Sequence, residues 1–176
     1  MRRAAALALL LAAPGLAFAG PEASHAATPA PAAVPAAPRQ TVIVGLKGKT
    51  IVVTPGLLDG LDRGQAVLIN DGATQTYDGV ILTELLRMVG APTGLFMHGA
   101  ADRDYLVVTG ADGFRAIYSL AETDRAIQKH DVILADHMNG RPLDARDAPF
   151  RLVVDGDQQS ARSVYGVTRI ELKQLP

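Results

Sequence analysis

The 176-residue chain has no cysteine. That single absence excludes disulfides, thiolate catalysis, covalent haem attachment, cysteine-ligated zinc and a lipobox lipoprotein, whose lipid is carried on a cysteine. Also missing are a serine nucleophile elbow, a Walker loop, a dinucleotide glycine fingerprint and a metalloprotease helix. There is no internal repeat and no strand–helix–strand alternation, which argues against a Rossmann-type layer. Long apolar runs are scarce. The one from Ala4 to Ala13 is well short of the roughly 20 residues that cross a bilayer, and Pro14-Gly15 ends it.

That run follows Arg2-Arg3 and precedes Ala17-Phe18-Ala19, a small-x-small cleavage pattern, so residues 1–19 read as a secretory signal peptide. The polar residue and apolar pair that complete a twin-arginine motif are missing, which indicates general secretion to the periplasm or the medium. No membrane span is expected after cleavage. Removing residues 1–19 takes away two of 17 basic residues and none of the 18 acidic ones, moving the net charge from −1 to −3. An acidic balance argues against nucleic acid as a partner. Residues 20–38 are rich in alanine and proline and carry almost no large apolar side chain, so they read as a semi-extended tether. Residues 39–176 suffice for one domain with one core.

Within that domain the β-branched runs Thr41–Val44 and Thr50–Val53, separated by a segment with two glycines, predict an opening hairpin. Further strands are expected at Gln65–Ile69, Tyr105–Thr109, Phe114–Tyr118, Val132–Ala135, Phe150–Val154 and Val164–Leu172, with turns at Asp71-Gly72, Asp112-Gly113 and Asn139-Gly140. Leu82, Leu85, Leu86 and Val89 recur at helical spacing. Thr83 as cap and Gly90 with Pro92 as stop predict a short helix over Thr83–Val89. Ser119-Leu120-Ala121-Glu122 fits a capping box opening a second helix that reaches Ala126. The expected class is α+β, a mixed, curled β-sheet with a few short helices.

Candidate chemistry lies in five places. Tyr77-Asp78-Gly79-Val80 reads first as a strand end whose Asp-Gly forms a tight turn, with Val80 entering the core. Arg151 alternates with Phe150, Leu152 and Val154. It is either a solvated or ion-paired strand residue, with Asp147 or Asp155, or a fork that grips an anion in a cleft. Arg115, beside Phe114, is a candidate for the same cleft. Asp155-Gly156-Asp157 leads to Ala161-Arg162-Ser163-Val164, a glycine-containing loop followed by a basic residue and a hydroxyl. Of the histidines, His25 lies in the tether, and His98 with Met97 could hold a metal only if the fold brought a distant ligand such as His137 beside them.

The order Tyr77–Val80, Leu85-Leu86, Gly140-Arg141-Pro142-Leu143, Pro149–Val154 and Ala161–Val164 resembles the molybdopterin-binding oxidoreductase domain of the sulfite oxidase family, trimmed of a dimerisation domain. The resemblance implies that family's fold, and molybdopterin as the cofactor, with Arg115, Arg151, Arg162 and Ser163 as its cofactor-binding residues. Full-length members hold molybdenum partly through a cysteine thiolate, and the matching region here, Ala66–Gly72, offers none. Asp155 stands where the family commonly has proline, and Tyr165 where it commonly has a basic residue; a gained carboxylate and a lost cation both disfavour a phosphate. The leading expectation is therefore an exported protein with no cofactor and no catalytic residue, binding a small anionic ligand or a periplasmic partner protein. The alternative is a periplasmic molybdopterin-dependent oxidoreductase with a non-thiolate metal shell. A purely structural interaction module is the third reading.

Overall fold

The computed structural model describes residues 39–70 and 72–176; the expected signal peptide and tether lie outside the described residues. Ten strands and two α-helices follow one another. They are β1 (Thr41–Val44), β2 (Thr50–Val53), α1 (Pro55–Leu58), β3 (Arg63–Asn70), β4 (Ala73–Ile81), α2 (Leu82–Met88), β5 (Asp104–Gly110), β6 (Arg115–Ser119), β7 (Val132–Met138), β8 (Arg141–Pro142), β9 (Arg151–Val154) and β10 (Val167–Gln174). The α+β class stands, with one correction. Instead of a single curled sheet there are two, one ordered β2-β1-β10-β5-β6 and one ordered β3-β4-β7-β8 with β9 also on β7. The first sheet is mixed because β1 runs parallel to β10, while every pair in the second is antiparallel.

Two sheets arise because the apolar alternation has to be buried twice. Ile43, Leu106, Val108, Tyr118 and Ile170 from the first sheet meet Val80, Leu134, Leu152 and Val154 from the second, together with Leu82, Leu85 and Leu86 of α2. The other face of the second sheet buries Ala66, Leu68, Tyr77, Ile133, Ala135 and Val153 in a smaller core. Each fully buried large aliphatic side chain contributes about 1.5–3 kcal/mol. Strand β9 is therefore covered on both faces, with Leu152 and Val154 in one core and Val153 in the other.

Three local expectations are corrected. Tyr77-Asp78-Gly79-Val80 lies within the nine-residue strand β4, and Asp78-Gly79 makes no turn; the ladder with β7 shifts register between them, leaving Asp136 as the extra residue of a bulge. Val80 does enter the core. Helix α2 begins at Leu82, and Thr83 does not cap it: its buried hydroxyl donates to the Thr123 carbonyl. Gly90 follows the helix at φ 84°, a conformation suited to glycine. Only half of the capping box at Ser119 forms: the Glu122 amide donates to Ser119 Oγ (3.2 Å), but the Glu122 carboxylate accepts from the Ser119 hydroxyl (3.3 Å) and not from a backbone amide. Only a three-residue 3-10 turn, Ala121–Thr123, results. Asp124, with extended backbone (φ −101°, ψ 122°), ends the turn, and its carboxylate accepts from the amides of Gly94 (2.7 Å) and Ala126 (2.8 Å).

Candidate functional site

Arg151 is carried on β9 opposite Ala135 of β7 and is 3% exposed. Burial of a cation demands compensation. Arg151 Nη1 donates to Asp147 Oδ2 (3.0 Å) and to the Tyr77 hydroxyl (2.7 Å), and Nε donates to Ser163 Oγ (2.8 Å), which itself donates to the Leu152 carbonyl (2.8 Å). The guanidinium carbon also lies 4.9 Å from the Tyr77 ring centre and 4.0 Å from that of Tyr165. Of its nitrogens, Nη2 alone has no partner. Burial raises the Tyr77 phenol above its ordinary pKa despite the nearby Arg151 charge. Of the two readings of Arg151 from sequence, the structure shows the ion pair with Asp147 and not with Asp155.

The structure brings Ser163 to Arg151 but not Arg115 or Arg162. Arg115 sits on the exposed side of β6, an edge strand whose Ala116 and Tyr118 point inward. Arg162 is held by Asp157 (Nε–Oδ2 2.8 Å, Nη2–Oδ1 3.0 Å) and by Glu122 (Nη1–Oε1 2.7 Å). The Asp157 bond and the two carboxylate charges hold this guanidinium well above its ordinary pKa. The hollow beside it, about 300 Å³, is lined by Glu122, Asp155 and Asp157 as well as His130, so carboxylates predominate there. His98 is exposed at the start of a 3-10 turn, and His137 Nδ1 lies 2.8 Å from Asp136 Oδ1. Among the described residues no group of three or more histidine or carboxylate side chains is placed to hold a metal ion.

A larger cavity, about 660 Å³, was not anticipated from sequence. It lies between the opening hairpin, α1 and the start of β9, with Val52, Val53, Pro55, Leu58, Leu61, Pro149 and Phe150 as apolar walls. Arg39, Gln40, Thr54, Asp59, Arg63 and Asp136 supply polar groups. Its size and lining are those of a small-molecule site. Arg63 grips Asp136 with both ends of its fork (2.6 and 3.0 Å). Burial pushes the Asp136 carboxyl up, but the hydrogen bonds from Arg63 and His137 outweigh it, so the carboxyl titrates below its ordinary value. The signal for this cavity was weak because its walls come from four separate segments.

Comparison with known proteins bears on this arrangement. The family model described as "Oxidoreductase molybdopterin binding domain" matches residues 62–176. No curated protein matches the sequence. Among solved structures, the fold is similar to that of the sulfane dehydrogenase SoxCD from Paracoccus pantotrophus, with a TM-score of 0.58 and 21% identity over 78% of this chain. The match covers 39% of the SoxCD chain, and at this identity the likeness is one of fold.

Proposed function

Because the chain belongs to the oxidoreductase molybdopterin-binding domain family, we propose that it uses that fold as a binding or accessory module, without molybdenum catalysis of the thiolate type. The observation that carries this reading is the donor set. The chain has no cysteine to ligate molybdenum, and of the three cations that the family resemblance assigns to the cofactor, Arg151 is already matched by Asp147 and Arg162 by Asp157 and Glu122, while Arg115 lies apart on the exposed side of β6. These residues do not fit a thiolate-bound, phosphate-bearing pterin. The cavity walled by Val52, Leu58 and Phe150 supports a small ligand with an apolar body instead.

A partner protein is the second reading, favoured by Leu95 and Phe96, which are 93% and 76% exposed on a 3-10 turn. The arginine pair and small-x-small pattern at the N-terminus support export to the periplasm. Among the described residues no helix is long and apolar enough to cross a membrane. The test is elemental analysis for molybdenum, tungsten, copper, zinc and iron, with oxidised-pterin fluorescence, on protein purified from the periplasm of a molybdenum-replete native host. The expected result is neither molybdenum nor pterin. Stoichiometric amounts of both would overturn the proposal and establish an oxidoreductase with an oxygen or nitrogen metal shell.

A further inference from the structure

The order β2-β1-β10-β5-β6 leaves β2 at an edge of the first sheet, paired on one side only. Among the described residues, the backbone groups that Thr50–Val53 turn away from β1 have no partner. A row of free N–H and C=O groups is a template for a further strand. Thr54 (φ −124°, ψ 158°) carries the extended backbone one residue further, before Pro55 opens α1. Residues 52–55 also wall the 660 Å³ cavity, so an unpaired sheet edge and an apolar hollow lie side by side. Val53, Leu58 and Phe150 are buried in that wall, whereas Val52 is 42% exposed.

The charges around the cavity leave one carboxylate unused. Arg63 and Asp136 neutralise each other, and Arg39 turns Nη1 to the carbonyls of Ala145 (3.2 Å) and Ala148 (3.5 Å). Asp59, which ends α1, has no hydrogen-bond or ion-pair partner among the described residues. An anionic ligand would be repelled by that carboxylate; an ammonium group would be attracted. We propose that the cavity and the β2 edge together bind the amino-terminal segment of an extended apolar peptide. Its backbone adds a strand to β2, its side chains enter the hollow against Val53, Leu58 and Phe150, and its terminal ammonium meets Asp59. The inference rests on the reading of this cavity as a ligand site and names the class of ligand. A strand satisfies both features at once, because alternate side chains point to one face while the backbone continues the ladder. A compact small molecule would fill the hollow and leave the edge open.

Strand β2 has four residues, so a tetrapeptide matches it. The probe is the amide of Ala-Val-Leu-Val, titrated into the isotope-labelled full chain and followed by backbone amide NMR. Saturable one-to-one binding is expected, with shift changes and slowed amide exchange concentrated in residues 50–54. Acetylating the peptide, or Asp59→Asn in the protein, weakens binding about threefold, as for an exposed ion pair, and the two changes together weaken it no further. Methylating the peptide's backbone nitrogens removes its strand donors and weakens binding about tenfold. Val52→Asp weakens it too, whereas Ile117→Asp, on the opposite edge strand β6, leaves it unchanged; both side chains are exposed, so neither change disturbs the core. Absence of saturation, shift changes centred on β6, or equal affinity for the methylated peptide would overturn the proposal. The neutral apolar dye N-phenylnaphthylamine separates this failure from that of the reading beneath it. Dye bound in the cavity without the peptide leaves a small-molecule site and sinks the peptide; neither bound sinks both.

Discussion

At the scale of single residues, the pair Arg151–Asp147 is the most consequential. Both side chains are almost wholly buried, at 3% and 5% exposure, and each is the other's counter-charge. Removing one partner leaves a desolvated charge, which costs about 3–5 kcal/mol, whereas replacing both with apolar groups of similar size costs much less. Asp147→Leu and Arg151→Met should therefore each destabilise strongly, and the variant carrying both should lose less than the two single losses added together. Urea unfolding midpoints at constant m-value measure all three; strict additivity would show that the pair does not act as a unit. The Pro149-Phe150-Arg151 alternation placed Arg151 on the face opposite Phe150, and this holds. Its role could not be read the same way, because Asp147 and Asp155 are both four residues away and only the backbone path decides which carboxylate turns inward.

At the scale of elements, β4 governs the second sheet because it pairs with β3 on one side and β7 on the other. Gly79 sits at its register shift, where a Cβ would collide with the Leu134 carbonyl oxygen and the Ala135 backbone. Both obstacles are backbone and cannot swing aside. Gly79→Ala should lower stability by about 3 kcal/mol through overpacking. Gly56→Ala in α1, where a Cβ meets nothing within 4 Å, should raise it by about 0.5 kcal/mol by restricting the unfolded chain. Thermal melts of the two variants distinguish these directions. An Asp-Gly pair reads as a turn because both residues tolerate turn geometry; here the glycine is required by close approach of a neighbouring strand, which local sequence does not display.

At the scale of the whole molecule, the family match begins at Asp62, yet the first sheet does not close without what precedes it. Strand β1 lies parallel against β10, and Ile43 is fully buried in the main core. Residues 62–176 alone should expose the β10 edge and the hollow left by Ile43, Val53 and Leu58, and should fail to give the cooperative melt that residues 39–176 give; circular dichroism with temperature checks this. A cooperative transition in the shorter piece would show the hairpin to be an accessory. The sequence by itself determined the strand segments, the opening hairpin, helix α2, the missing thiolate and the family likeness, because these depend on residue type and on spacings of a few positions. The tertiary structure alone decided that there are two sheets, that Arg151 is internally paired, that Arg115 and Arg162 lie apart from it, and that Val53 and Phe150 wall one cavity. Those outcomes depend on contacts between distant segments, where the cost of burying charge and the demand for backbone partners select among arrangements that local patterns leave equally open.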